Sequence, residues 1–329
     1  MKNKVLIGFT YGDPSGIGSE ILCKTLKRYK FKYIAPVLIG SSNYFKQIQK
    51  KLKILNQSQC QCFKSFNNKY IDKVNYKLGA PDKSSGLHSY HCLKYAVELA
   101  NRGDINAIVT GPVSKEIINS AGIKFSGQTD LIADFCKINK NDLIMLFVSK
   151  DFRLALFTRH IPLKEVSSKI NKKDLKKYLL ILIKELKKWF LIKNPKICVL
   201  GLNPHAGEKG LFGGEEKNII IPVIKELRKS GYLVYGPSSP DATLAQAGRD
   251  YLISKKQKYD AYVSFYHDQG LPLFKALSGK DGINITLGLP YLRVSVDHGT
   301  AFDIAGKNKA EPESLIYASR FLDELFGRR

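Results

Sequence analysis

Short apolar runs alternate with amphipathic stretches along the chain. Lys4–Thr10, Tyr33–Gly40, Asn106–Thr110, Lys196–Leu202 and Tyr232–Gly236 read as buried strands. Leu143–Ser149 and Phe152–Thr158 flank Lys150-Asp151, which predicts a hairpin. Helical spacing of apolar residues appears in Ser42–Leu55, Ser84–Arg102, residues 172–190 and Asn218–Ser230, and a closing helix is expected near Pro312–Phe326. In residues 172–190 the apolar stripe includes Leu175, Tyr178, Leu179, Leu182, Leu186 and Trp189, and the lysines face solvent. By the same spacing, His88 falls among packed residues and His91 on a solvated stripe. Thr129 reads as the N-cap of a helix Leu131–Cys136. Residues 56–80 read as a loop with short strands. Strands alternating with helices, interrupted by one hairpin, predict an α/β fold with a mixed sheet.

Composition narrows this only slightly. The 329 residues suffice for two domains, and 44% hydrophobic residues fit a globular chain. No apolar run reaches the ~18–20 residues of a membrane span. The opening MKNKVLIGFT is too short for a signal peptide and reads as the first strand, so a cytoplasmic protein with no membrane partner is expected. The net charge of +24 raises the question of nucleic acid. The lysines are dispersed and no nucleic-acid module is present, so none is expected as a partner; the charge would still draw in a phosphorylated substrate. The six cysteines form no disulfide framework, and Cys60-x-Cys62 reads as incidental thiols.

Candidate chemistry concentrates in residues 259–306. His267-Asp268-Gln269-Gly270 follows an apolar strand, and Lys275, Asn284 and Arg293 interrupt apolar runs. His160 and His205 share the setting of His267, each just past a strand and beside a Pro or Gly turn. Three neutral imidazoles at strand ends suit a divalent metal with an open position. Taken singly, each reads equally as a structural histidine, and spacing leaves the choice open. Lys275 and Arg293 suit phosphate or carboxylate, and Asn284 can orient a substrate group. Gln128 and Thr129 can offer donors at a helix start. The turn Gly12-Asp13-Pro14-Ser15-Gly16 lacks dinucleotide-fingerprint spacing and reads best as a tight turn before a helix. In the loop His298-Gly299-Thr300-Ala301-Phe302-Asp303, Asp303 can accept from an adenosine ribose, which would favour NAD; an ordinary turn with a solvated Asp accounts for it as well.

GDPSGIG, TGPVSK, TRHIPL, GLNPHAGE, YHDQGLP, NITLGLP and VDHGTAFDIAG occur in that order over nearly the whole chain. Together they resemble the 4-hydroxythreonine-4-phosphate dehydrogenase (PdxA) family, within the wider isopropylmalate and isocitrate dehydrogenase-like fold. The resemblance implies two α/β/α domains with mixed sheets, drawn approximately as 1–125 plus 290–329 and 126–289. It implies a cleft between the domains and a homodimer sharing its active sites. His160, His205 and His267 would bind one divalent cation (Zn, Mg or Co), one histidine coming from the partner chain. Gln128, Thr129, Lys275, Asn284 and Arg293 would bind substrate. His298, Gly299, Thr300 and Asp303 would bind NAD, or NADP. The reaction implied is oxidation of 4-phosphooxy-L-threonine at C3 and decarboxylation to 3-amino-2-oxopropyl phosphate, a step of pyridoxal 5′-phosphate biosynthesis. Lys275 and Asp241 are candidate helpers to a metal-activated hydroxyl. A related oxidation of erythronate or threonate 4-phosphate is the alternative. The family's Gly-His-Thr-Glu is here Gly127-Gln128-Thr129-Asp130, and Ala242 stands where Thr is usual.

Overall fold

The computed structural model describes residues 4–54, 65, 66, 71 and 76–329; Cys60, Cys62 and most of the expected loop over 56–80 lie outside the described residues. The chain divides into two units, Met1–Lys140 with Leu289–Arg329, and Asn141–Gly288. The first edge therefore falls after Lys140 and not near 125. Helix-to-helix packing explains the shift, because the helix that begins at Gln128 packs on the long helix Lys83–Asn101 of the first unit. Gln128 and Thr129 thus belong to the first unit, not the second.

The first unit opens with β1 (Val5–Thr10), α1 (Gly18–Arg28), β2 (Ile34–Ile39), α2 (Ser42–Leu52) and β3 (Ser65–Phe66). It continues with α3 (Lys83–Asn101), β4 (Ala107–Thr110), α4 (Lys115–Ser120) and α5 (Gln128–Phe135). The second unit holds β5 (Ile144–Ser149), β6 (Phe152–Leu156), α6 (Lys172–Phe190), β7 (Ile197–Leu200), α7 (Ile221–Lys229) and β8 (Val234–Ser238). It ends with α8 (Pro240–Leu252), β9 (Ala261–Ser264), α9 (His267–Ser278) and β10 (Ile283–Leu287). The chain then returns to the first unit as β11 (Leu292–Val296) and α10 (Glu313–Gly327).

Strand order in the first unit is β3-β2-β1-β4-β11, and each of these ladders is parallel. In the second it is β10-β5-β6-β9-β7-β8. There the hairpin β5–β6 and the pair β10–β5 are antiparallel, while β6, β9, β7 and β8 run parallel. Mixed pairing within a unit is thus concentrated where the sequence places its hairpin.

Local chemistry explains the element ends. Asp82 Oδ1 accepts from Ser85 N at 2.8 Å, and Ser85 Oγ accepts from Asp82 N at 3.2 Å, a reciprocal cap that starts α3. Asn171 Oδ1 accepts from Asp174 N at 2.9 Å and starts α6, whose stripe from Leu175 to Trp189 is buried as its spacing predicts. The α5 start differs from expectation. Its N-cap is Gly127, at φ 157°, with no side-chain cap, and Thr129 lies inside the first turn. Two helices escaped the periodicity. In α8, Pro240 leads an Ala-rich segment, and Asp241 sits in a helical first turn instead of a loop. In α9, Gly270 and Pro272 obscure a stripe of Leu271, Phe274 and Ser278, so Lys275 is helical. Leu271 and Phe274 of that stripe pack into a core with Phe147, Phe152, Leu154 and Tyr262. Fully burying each such large apolar side chain is worth about 1.5–3 kcal/mol. No helix among the described residues is long and apolar enough to cross a membrane.

His88 is buried as expected, 2.6 Å from Tyr11 Oη through Nε2, and His91 is half-buried. Burial pushes His88 down to about 3 and Asp13, on the turn after β1, up to about 6. The two act oppositely on stability. His88 stays neutral in the fold, so its contribution is complete above its ordinary value and is lost as pH falls from 6.5 towards 3. Asp13 holds a proton in the fold, so its contribution is present below 3.8 and lost as pH rises through about 6. The two slopes nearly cancel between pH 4 and 6. Asp13→Asn removes the opposing slope. Between pH 6.5 and 4 this variant is expected to lose about 3 kcal/mol more stability than the parent in urea unfolding. Equal losses in both proteins would show that Asp13 does not hold its proton in the fold.

Candidate active site

Four adjacent parallel strands of the second unit, in the order β6-β9-β7-β8, end at one sheet edge. The segments leaving them carry His160, His267, His205 and Asp241 respectively. Ligand-binding groups in α/β sheets gather at such carboxyl ends. Thr158 N donates to Phe265 O at 3.1 Å, which holds the β6 and β9 exits side by side. Gln269 braces the next pair: its Oε1 accepts from Phe265 N at 2.7 Å and its Nε2 donates to Gly201 O at 2.6 Å.

The His160 and His267 rings lie 5.8 Å apart, centroid to centroid. Two imidazoles sharing one zinc-like ion stand about 5 Å apart, given metal–nitrogen bonds near 2 Å. Asp268 Oδ1 lies 2.7 Å from His267 Nδ1. A carboxylate can only accept there, so Nδ1 carries the proton and Nε2 keeps its lone pair, as a metal ligand requires. The donor chemistry thus fits a divalent cation. His205 does not complete the set within one chain: among the described residues no group of three or more His, Cys, Asp or Glu could hold a metal. The three histidines therefore form no threefold ligand set among the described residues of a single chain.

His205 instead lines a cleft of about 520 Å³ with Asn203, Asp241, Tyr266, Asp268 and Gln269. Asp241 accepts from Ser239 Oγ and from Ala242 N, and these bonds, helped by the nearby His205, hold its carboxyl below the usual range. Lys275 is exposed on α9 and Asn284 half-buried on β10.

In the first unit, Arg293 on β11 is 4% exposed. Its Nε and one terminal nitrogen donate to Thr110 Oγ1 at 3.1 and 2.8 Å, and that nitrogen also donates to Gln128 Oε1 at 3.0 Å. Gln128 Nε2 donates in turn to Gly111 O at 3.1 Å. The amide thus bridges the buried guanidinium and the β4 exit, with Thr129 beside it. Burial pulls Arg293 down to about 10, with the Tyr291 hydroxyl opposing.

The loop from His298 packs on the turn after β1, where Ile17 N donates to Thr300 O at 3.0 Å. A Cβ at Gly16 would lie 2.8 Å from that same Thr300 oxygen, so only glycine fits. Asp13, on that same turn, is buried and accepts from Ser15 N at 2.9 Å. His298 Nε2 is buried with no hydrogen-bond partner among the described residues, and Asp303 is exposed. An orphaned ring nitrogen and an accessible carboxylate on one glycine loop fit a dinucleotide.

The profile of the family described as "Pyridoxal phosphate biosynthetic protein PdxA" matches residues 32–322. The chain belongs to this family. Among PdxA relatives, the 4-hydroxythreonine-4-phosphate dehydrogenase of Sulfurihydrogenibium sp. is 38% identical over 95% of this chain and 96% of its own. A Clostridium botulinum protein provisionally named D-threonate 4-phosphate dehydrogenase is 33% identical over 97% of this chain and 96% of its own. The crystal structure of the Klebsiella pneumoniae 4-hydroxythreonine-4-phosphate dehydrogenase superposes with a TM-score of 0.83, 30% identity, and coverage of 98% and 100%. Within this PdxA chain, Asn203, Glu215, Glu216 and Gln269 shape the histidine-bearing turns, yet none had been singled out from sequence. Glu216 and Gln269 engage backbone groups while Asn203 and Glu215 engage side chains, most of them distant in sequence, which no periodicity reveals; the outward signal is their nearness to the histidine motifs.

Proposed function

We propose that this chain is an NAD-dependent 4-hydroxythreonine-4-phosphate dehydrogenase. It would oxidise 4-phosphooxy-L-threonine at C3, and the β-keto acid would lose carbon dioxide to give 3-amino-2-oxopropyl phosphate. The observation that carries the reading is the single sheet edge that delivers His160, His267, His205 and Asp241. A bound divalent cation would supply polarisation of the C3 hydroxyl and stabilise negative charge on that oxygen. His160 and His267 would hold it from one chain, with Asp268 fixing the tautomer of His267. A second copy would supply the missing ligand, because no described threefold ligand set exists in one chain. Leu163 and Leu211, which follow His160 and His205, are 69% and 72% exposed and suit burial against such a copy. Arg293, held by Gln128 and Thr110, would bind a phosphate or carboxylate oxygen, with Lys275 and Asn284 as further substrate contacts. Asp241 would accept the hydroxyl proton directly or through water.

NADH formation on 4-phosphooxy-L-threonine with Co²⁺ tests the activity, and no turnover would reject it. Gln128 in place of the family's histidine favours one second reading, oxidation of threonate or erythronate 4-phosphate; faster NADH formation on those substrates would support it. For the cofactor, Asp303→Lys is expected to raise the NAD dissociation constant roughly ten- to a hundredfold in calorimetry, the usual worth of a charged hydrogen bond. Unchanged affinity would place the nucleotide elsewhere.

A further inference from the structure

The turn carrying His205 needs an outside restraint. His205, Ala206, Gly207, Glu208 and Lys209 all have left-handed backbone, with φ between 39° and 77°. Four of these five residues are not glycine, and side chains disfavour that conformation. Such a run persists only where neighbours impose it.

Two carboxylates are those neighbours. Glu216, 2% exposed, accepts from Asn203 N at 2.8 Å on Oε1 and from Asn203 Nδ2 at 2.9 Å on Oε2. Asn203 Nδ2 spends its other hydrogen on Glu215 Oε2 at 3.0 Å. Glu215 Oε1 accepts from Ser167 Oγ, on the segment that follows His160. Gly207 rides against Glu216 so closely that a Cβ would lie 2.6 Å from Oε2. The two histidine-bearing segments are thereby joined through Ser167, Glu215, Asn203 and Glu216. Glu215 caps and Glu216 opens a π-helical turn, Glu216–Ile220, that leads into α7. Burying a carboxylate is costly unless its oxygens are engaged, and here both oxygens of Glu216 are.

We infer that Glu216, acting with Glu215 through Asn203, is a positioning residue that holds His205 at the sheet edge and couples its turn to the His160 segment. Neither carboxylate bonds to a histidine, so neither is a catalytic residue. The inference rests on His205 serving as a cation ligand.

Glu216→Gln keeps the side chain's shape but turns an NH₂ towards Asn203 Nδ2, so two donors face each other. The full-length, metal-stripped protein is titrated with Co²⁺, and amide hydrogen exchange is followed separately. In Glu216→Gln, exchange across 203–210 is expected to accelerate at least about tenfold while the β-strands keep their protection. The Co²⁺ dissociation constant is expected to rise roughly 10–100-fold, and kcat to fall more than KM rises. Ser167→Ala, at an exposed residue, should weaken Co²⁺ binding by about two- to threefold without touching the fold. Parental exchange and parental Co²⁺ affinity in Glu216→Gln overturn the inference. If Glu216→Gln does not fold, Asn203→Ala and Glu215→Gln decide it: parental exchange and affinity in both overturn it, and losses in both sustain it. A parent protein that binds no Co²⁺ removes the cation reading, while the exchange measurement still judges the restraint.

Discussion

His267→Ala is expected to abolish Co²⁺ binding and to lower turnover at least about a thousandfold, the loss of several kcal/mol of charge stabilisation that a bound cation supplies. The fold should survive. His267 opens α9, its side chain is 42% exposed, and it lies outside the core cluster that holds Leu271 and Phe274. Surface substitutions of this kind usually change stability by less than about 0.5 kcal/mol. Calorimetric titration with Co²⁺, beside thermal unfolding, separates the two effects. Retained Co²⁺ binding would show that the His160–His267 pair is incidental. His205→Ala is expected to be equally inactive, although His205 joins no threefold set within its own chain. If a second copy completes the site, mixing the two inactive proteins restores turnover. Random exchange makes half the dimers mixed, each with one intact site, so about a quarter of parental activity should return. No recovery after demonstrated subunit exchange would place all the ligands in one chain.

The strand–helix alternation and the hairpin were legible because buried parallel strands are nearly continuous apolar runs and α6 repeats its stripe over many turns. The helix α9 was not, because Gly270 and Pro272 break the pattern locally while Phe274 and Leu271 gain their burial from residues distant in sequence. The histidines were visible as a shared context, a polar residue just past an apolar run. Their grouping was not, since strand order decides which exits become neighbours, and β9 enters between β6 and β7 only through long-range pairing. The same limit hid Asn203, Glu215 and Glu216. A carboxylate that serves a backbone amide thirteen residues away looks, in sequence, like any surface acid. Gln128 shows the converse. Its departure from the family's histidine was plain in sequence, but its bridge from Arg293 to Gly111 required coordinates.

Arg293→Met should separate function from stability most sharply. A guanidinium drawn from 12.5 down to about 10 by burial carries a desolvation cost of about 3 kcal/mol. Methionine of similar length removes that cost. It also strands Gln128 Oε1 and ends the bonds to Thr110 Oγ1, which costs about 1–3 kcal/mol per buried acceptor left unmade. The opposing sums are of the same order, so the melting temperature should stay within several degrees of the parent, as replacement of buried charges by apolar groups often shows. Turnover should not be spared. If the guanidinium neutralises an anionic substrate group, its removal forfeits a charged hydrogen-bond pair in a dry site, and kcat/KM should fall by about a hundredfold or more. Arg293→Lys keeps the charge but not the planar fork that reaches Thr110 and Gln128 together, and should recover only part of the loss. Steady-state kinetics on the phosphorylated substrate, beside thermal unfolding of both variants, give the decision. A methionine variant that unfolds easily yet turns over normally would mean that evolution kept Arg293 for the scaffold alone.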